Sequence, residues 1–134
     1  MVVIDASVTV KWVLPEEGSE QAVDLLGDDL TAPAFWLAEA ANVLWRRHRR
    51  GEMTASQATS RLIELLNAPV GSVDIEPLVE RALALAIELE HPVYDCLYLA
   101  QALSRDTHVI TADRHFAAVA NRPAFAGRVR LLGA

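Results

Sequence analysis

Short apolar segments alternate with longer segments of helical spacing along the chain. The short ones are rich in β-branched residues or alternate apolar and polar positions, which is typical of strands. The longer ones repeat apolar residues at intervals of three and four, which is typical of helices that bury one face. Strands are predicted at 1–5, 30–33, 72–77, 107–113 and 128–132, and helices at 7–14, 19–28, 35–51, 54–68, 78–91, 93–106 and 115–121.

Strands separated by helices of this length predict a parallel sheet, because parallel neighbours need long crossover connections. The 134 residues contain no repeat, low-complexity tract or linker, so we expect a single domain over residues 1–134. The expected fold class is α/β, with three layers, α/β/α, around a central parallel sheet.

Several residues mark predicted helix boundaries. Ser19 and either Thr54 or Ser56 are suited to cap helix N-termini. Pro77 suits the first turn of the helix that follows it, and Gly51 suits a helix end.

Four carboxylates stand alone within apolar segments. Asp5 and Asp113 each close a predicted strand. Glu39 and Asp95 lie near the beginnings of two predicted helices. A charge in a buried segment is costly unless hydrogen bonds, a cation or a metal compensate it. Because open α/β sheets bind ligands at the carboxyl ends of their strands, we expect the four acids to converge there.

Each acid also has a structural interpretation. Asp5 could cap the helix after it. Glu39 and Asp95 could serve the dipoles of their helices. Asp113 could be an ordinary turn residue. If all four structural interpretations were correct, the meeting of the four acids at one edge of one sheet would be a coincidence. We therefore favour a shared divalent-metal site.

Hard cations such as Mg²⁺ and Mn²⁺ prefer oxygen ligands, and carboxylates that hold them can support hydrolysis of a phosphodiester by activated water. The chain has no other catalytic signature. Its histidines are too scattered for zinc, its six glycines form no phosphate-binding loop, and no GxSxG elbow is present. Metal-dependent hydrolysis is the chemistry that remains.

The net charge of −6, from 12 basic and 18 acidic residues, argues against a general nucleic-acid coat. Bound cations can nevertheless recruit phosphates that the acids alone would repel. No apolar run is long enough to span a membrane, and the first residues lack the basic region of a secretion signal. With the single Cys96 unable to form an internal disulfide, we expect a cytoplasmic protein without membrane association.

Four segments in order, VVIDASV, LAEAANVLWRRHRRGE, HPVYDCLYLAQAL and VITADRHF, resemble the PIN domain, and within it the VapC-type ribonuclease toxins of toxin–antitoxin pairs. The likeness covers nearly the whole chain. It implies a Mg²⁺- or Mn²⁺-dependent endoribonuclease that leaves a 5′-phosphate and a 3′-hydroxyl. It also implies a homodimer and a cognate antitoxin that inserts a segment into the acidic groove.

The resemblance assigns roles to individual residues. Asp5 and Asp95 are expected as the chief metal ligands. Glu39 would bind metal directly or through water and orient the attacking water, and Asp113 would complete the site. Further residues are Ser7 and Thr111, which would hydrogen-bond the ligands, and Asn42, which is either a structural hydrogen-bonder or a site residue.

Basic residues are the candidates for substrate contact. Arg114 and His115 directly follow Asp113, and Arg46 belongs to the basic run 46–50. That run could grip RNA phosphates or simply complement the dipole at a helix C-terminus. One departure from the family pattern is Asp106, where many relatives carry glycine, and there we expect only a changed turn.

Two rival functions stay open. A non-catalytic PIN-like module would bind RNA or a protein without cutting. A phosphoacceptor receiver domain also clusters acids at the carboxyl edge of a parallel sheet, but it needs paired acids after the first strand and a lysine near the last. Here Asp5 is unpaired and the only lysine is Lys11, so the receiver is disfavoured.

Overall fold

A computed structural model describes residues 1–134 and shows a five-stranded sheet in which every neighbouring pair of strands is parallel. The strand order is β3-β2-β1-β4-β5, and seven helices cover the two faces, so the predicted three-layer α/β/α class is confirmed. The elements are β1 (Val2–Ile4), α1 (Ala6–Thr9), α2 (Ser19–Asp24), β2 (Leu30–Pro33), α3 (Trp36–Arg49), α4 (Ala55–Leu66), β3 (Val70–Val73), α5 (Glu76–Leu89), α6 (Val93–Ser104), β4 (Val109–Thr111), α7 (Arg114–Val119) and β5 (Val129–Leu131).

Helix α6 is the most deeply buried helix of the chain. Every residue from Cys96 to Ala102 is buried, which is why this segment is apolar on all sides instead of on one stripe. The helix contacts β1, β2 and β4, and α5 packs along it. Because α6 lies against the central strands, a side chain near its N-terminus is carried to the carboxyl edge of the sheet.

Two local predictions are wrong. The third strand is Val70–Val73, not 72–77, and Ile75 already precedes α5. Ser19 is the first residue of α2, and the cap position belongs to Gly18, in the left-handed region at φ 88°. The Ser19 hydroxyl instead donates to the carbonyl of Leu14 and accepts from the amide of Glu16, so it stabilises the preceding loop.

Other boundaries follow the predictions. Thr54 caps α4 in a reciprocal capping box with Gln57. Gly51 follows the end of α3 with φ 78°, and Pro77 lies in the first turn of α5. Asp106, where we expected a changed turn, has φ 51°, which is the left-handed backbone for which glycine is the usual choice. None of the helices combines the length and the apolarity that a membrane crossing requires.

Candidate active site

The four isolated acids line one cleft at the carboxyl edge of the sheet. This cleft has a volume of about 490 Å³ and opens to solvent. The adjacent central strands β1 and β4 deliver Asp5 and Asp113, whereas the first turns of α3 and α6 deliver Glu39 and Asp95. The predicted convergence of the four acids is therefore what the structure shows.

Asp5 is buried, at 4% exposure, directly after β1. It caps α1, because its Oδ1 accepts from the amide of Ser7 at 3.1 Å and from the hydroxyl of Ser7 at 2.5 Å. Burial raises its pKa to about 7, although the hydroxyls of Ser7 and Thr111 partly offset this and the charges of Asp95 and Glu39 add to it. Asp5 thus caps a helix, but its ionised form is destabilised by burial and by the neighbouring acids. A bound cation would stabilise that ionised form.

Ser7 is the junction between β1 and β4. Its hydroxyl accepts from the amide of Ala112 at 2.8 Å and lies 3.3 Å from the hydroxyl of Thr111. Thr111 in turn accepts from the amide of Asp113 at 3.0 Å. These contacts fix the two strand ends relative to each other, so both hydroxyls hold the acids in place, as the resemblance implies.

Glu39 lies in the first turn of α3 and is half-buried. Its Oε1 accepts a 2.6 Å hydrogen bond from the hydroxyl of Tyr98. Burial raises the pKa of Glu39, the Tyr98 hydrogen bond opposes the rise, and the charge of Asp95 adds to it. The carboxylate is thereby fixed through one oxygen while the other has no hydrogen bond within the chain.

Asp95 lies in the first turn of α6, and its Oδ2 is 2.6 Å from Nε2 of His91. Burial raises the pKa of Asp95, the His91 ring opposes the rise through its hydrogen bond and charge, and the charge of Asp113 adds to it. Since these acids influence one another's pKa values, their charges are close enough to repel.

Asp113 is the N-cap of α7. Its Oδ1 accepts from the amides of His115 at 2.9 Å and Phe116 at 3.2 Å. The structural interpretation of Asp113 as a turn residue is therefore correct in part, because the same side chain that caps the helix also lines the cleft.

One oxygen of each acid is engaged by the protein and the other is not. The engaged atoms are Oδ1 of Asp5, Oε1 of Glu39, Oδ2 of Asp95 and Oδ1 of Asp113. No group of three or more His, Cys, Asp or Glu side chains is arranged as it would be around a bound metal ion. The cleft thus offers oxygen donors of the right chemistry without a preformed coordination shell.

The predicted substrate residues lie in different places. Arg46, two turns after Glu39 on α3, is exposed and lines the cleft, as does Asn42, one turn after Glu39, which was predicted as a structural or site residue. Arg114 instead borders two smaller hollows beside α7, and the exposed His115 has its ring 5.4 Å from the ring of His91. Within the basic run only Arg46 lines the cleft.

Sequence reasoning missed the residues that support the acids. His91 and Tyr98 each hold one carboxylate, and Phe35 and Tyr94 line the cleft as an aromatic pair with ring centroids 6.1 Å apart. A signal was available for Tyr98, because a tyrosine in a wholly apolar helix needs a partner for its hydroxyl. For His91 the only signal was its position four residues before Asp95.

The amino-acid sequence was also compared with those of known protein families. The family model described as the PIN domain matches residues 2–122, nine-tenths of the chain. The chain belongs to the PIN domain family. The resemblance seen in the sequence is confirmed, and the matched PIN residues include all four acids.

Three known proteins show which kinds of protein the chain is similar to. Ribonuclease VapC3 of Pyrobaculum aerophilum is 33% identical over 119 residues, covering 86% of this chain and 91% of the relative. The crystal structure of PAE2754 from the same organism has a TM-score of 0.74 at 22% identity, covering 96% of this chain and 82% of that one. A toxin–antitoxin complex from Klebsiella pneumoniae has a TM-score of 0.62 at 17% identity, covering 96% and 95%.

Proposed function

We propose that this PIN domain is an endoribonuclease that hydrolyses RNA phosphodiester bonds with the help of Mg²⁺ or Mn²⁺. The observation that carries the proposal is the convergence of four acids from separate segments on one open cleft. The similarity to a relative named as a ribonuclease supports RNA as the substrate.

The donor set of the cleft fits a hard divalent cation. Its acids supply only oxygen ligands, and each keeps one oxygen free of hydrogen bonds within the chain. Burial and mutual repulsion raise the pKa values of Asp5, Glu39 and Asp95, so a positive charge would stabilise their ionised forms. Asp5, Asp95 and Glu39 would hold the ion, with Asp113 completing its surroundings.

When bound, such an ion lowers the pKa of water and neutralises charge on the phosphodiester under attack. The chain's own residues would do the rest. The Tyr98 hydroxyl fixes the Glu39 carboxylate, whose free oxygen can accept a proton from an attacking water. Ser7 and Thr111 hold Asp5 and Asp113 at the ends of adjacent strands.

Substrate binding would use the rim of the cleft. Arg46 is exposed there and has no carboxylate partner, so its guanidinium is free for an RNA phosphate. Arg47, its neighbour, is bound to Glu16 and lies 3.7 Å from Glu52, so it ties α3 to the loop after α1. Within the basic run, Arg46 would thus contact the substrate, whereas Arg47 makes ion pairs within the protein.

The proposed setting is that of a toxin controlled by a cognate antitoxin, as a homodimer in the cytoplasm. The similarity to a chain of a toxin–antitoxin complex supports the antitoxin, and the PIN family supports the nuclease. In this setting a segment of the antitoxin would inhibit the nuclease by occupying the cleft that the four acids line.

The deciding experiment compares the wild type with Asp95→Asn, each purified free of partners. Both are incubated with total cellular RNA and either Mg²⁺ or Mn²⁺, and the new RNA ends are sequenced. We expect discrete cuts with 5′-phosphate ends from the wild type alone, abolished by excess EDTA.

Each alternative outcome has a distinct meaning. Cuts that persist in EDTA would exclude the metal mechanism. RNA binding without cuts under either metal, from folded protein, would establish the non-catalytic binding module instead. Circular dichroism of the Asp95→Asn variant verifies that any loss of cutting is not a loss of fold.

A further inference from the structure

We infer that His91 is a positioning residue that orients the Asp95 carboxylate for metal binding by donating from Nε2. The inference rests on the proposed function and extends it to a residue outside the acidic quartet. Three observations carry it: the burial of the ring, its single polar contact, and its packing between the two elements that bear Asp95 and Asp113.

His91 lies in the connection between α5 and α6, just after Glu90, which has the left-handed backbone at φ 52°. Only 4% of its side chain is exposed. Nε2 is 2.6 Å from Oδ2 of Asp95, which is the one polar contact of the ring. A ring so enclosed has little freedom, so the carboxylate oxygen that it binds is held in one place.

The surroundings identify the protonated nitrogen. Nδ1 is buried and has no hydrogen-bond partner. An N–H at that position would be a buried donor without an acceptor, which costs more than an unpaired imidazole nitrogen. Because the Asp95 carboxylate can only accept, Nε2 carries a proton and donates it to Oδ2. Asp95 Oδ1 is left without a hydrogen-bond partner in the chain, and Asp95 lines the cleft.

The ring also connects two of the acids. It stacks on Phe116 with centroids 5.4 Å apart and an interplanar angle of 11°. The amide of Phe116 donates to Oδ1 of Asp113. His91 thus contacts the helix capped by Asp113 while it binds Asp95, and it keeps the two carboxylates in a fixed relation.

The test uses a matched pair of variants and measures metal binding directly. A glutamine amide can occupy the place of Nε2 and donate, whereas a methionine of similar length cannot. Mn²⁺ affinity is measured by electron paramagnetic resonance for the wild type, His91→Gln and His91→Met. His108→Met, at the other end of the sheet in a hollow with Arg128 and Arg130, is the control histidine.

We expect Mn²⁺ to bind His91→Met about tenfold more weakly than the wild type, and His91→Gln to recover most of that loss. In an Asp95→Asn background the Met substitution should have little further effect, because the histidine acts through that carboxylate. Equal affinities for the wild type and His91→Met would overturn the inference while leaving the proposed function standing. Absence of Mn²⁺ binding by the wild type would overturn the metal mechanism and the inference with it.

A measurement on the wild type covers the case in which His91→Met does not fold. Nitrogen-15 histidine spectra report the tautomer of each ring, and we expect His91 to be protonated at Nε2, with its signals shifting on addition of Mg²⁺. Protonation at Nδ1 alone would overturn the inference.

Discussion

The hydroxyl of Tyr98 donates a 2.6 Å hydrogen bond to Oε1 of Glu39, although 59 residues separate the two in sequence. The tyrosine is fully buried in α6, and its ring packs 5.3 Å from that of Phe35, the residue that precedes α3. Helices α3 and α6 are thereby fixed to each other at the point where each contributes an acid. This contact determines which oxygen of Glu39 is available to water.

Replacing Tyr98 with phenylalanine should move the pH dependence of RNA cleavage. The hydrogen bond lowers the pKa of Glu39, so its loss raises that pKa further and shifts the acidic limb of the rate profile to higher pH. We expect kcat to fall about tenfold near pH 6 and less at pH 9, with about 1 kcal/mol lost from the free energy of unfolding. The measurement is kcat against pH on a short RNA.

Tyr94→Phe is the matched control, because Tyr94 lines the same cleft but its hydroxyl makes no hydrogen bond. It should leave the acidic limb where it is. An unchanged limb in Tyr98→Phe as well would remove Glu39 from proton transfer.

Asp5→Asn should stabilise the metal-free protein at neutral and higher pH. The ordinary pKa of Asp5 is 3.8 and burial raises it to about 7 in the folded state. The folded chain therefore binds more protons between these values, and stability falls as pH rises from 3.8 to 7. The full cost, up to about 4 kcal/mol, is present above pH 7. Asparagine caps helices as well as aspartate does and carries no charge.

Urea unfolding of the wild type and Asp5→Asn in EDTA, at steps between pH 8 and pH 4, measures this difference. The advantage of the variant should be largest at pH 8 and should shrink as pH falls. A difference that does not vary with pH would mean that Asp5 is not protonated in this range.

Ser7→Ala should destabilise the protein by about 1–3 kcal/mol, because it leaves the Ala112 amide and Asp5 Oδ1 without their hydroxyl partner. Ser104→Ala removes a hydroxyl that donates to the Gln101 carbonyl at the far end of α6. Ser104→Ala should lower the free energy of unfolding by less than Ser7→Ala, since the Ser104 hydroxyl makes only one hydrogen bond. Urea unfolding of both variants makes the comparison, and equal losses would show that Ser7 is not a special junction.

Arg46→Ala should raise KM for RNA several-fold with little change in kcat, because the side chain lines the cleft without touching the acids. Arg50→Ala, at the exposed end of the same helix, removes the same charge outside the cleft and should change neither constant. Steady-state kinetics at two salt concentrations measure both variants. Equal effects of the two substitutions would indicate a general electrostatic contribution of the basic run.

Most of the fold could be predicted because its strands and helices carry distinct periodicities. The exception at β3 has a clear physical reason. The alternating segment 72–77 imitates a strand, but Ile75 packs against the core from the turn before α5, whereas Gly71, within the true strand, contributes no side chain to the pattern. At Asp106 we expected a changed turn, but the residue adopts the left-handed backbone that glycine usually occupies, so the difference in residue type does not require one.

The acids of the site could be identified because a lone charge in an apolar segment needs an explanation. The residues that hold these acids in place could not be identified from the sequence. His91 and Tyr98 are ordinary in sequence, and their importance arises only from contacts that cross between elements. Among the predicted substrate residues, the location of Arg46 and that of Arg114 depend on helix orientation, which a linear pattern does not define.

The strand order has a consequence for how the protein is made. Strand β1, the first element synthesised, lies between β2 and β4, and β4 comes at residues 109–111. A growing chain on the ribosome therefore cannot complete the centre of the sheet, or bring Asp113 beside Asp5, until residues 109–113 have been translated and have left the ribosome. A shorter nascent chain would lack one of the four acids, so it would not contain the complete cleft.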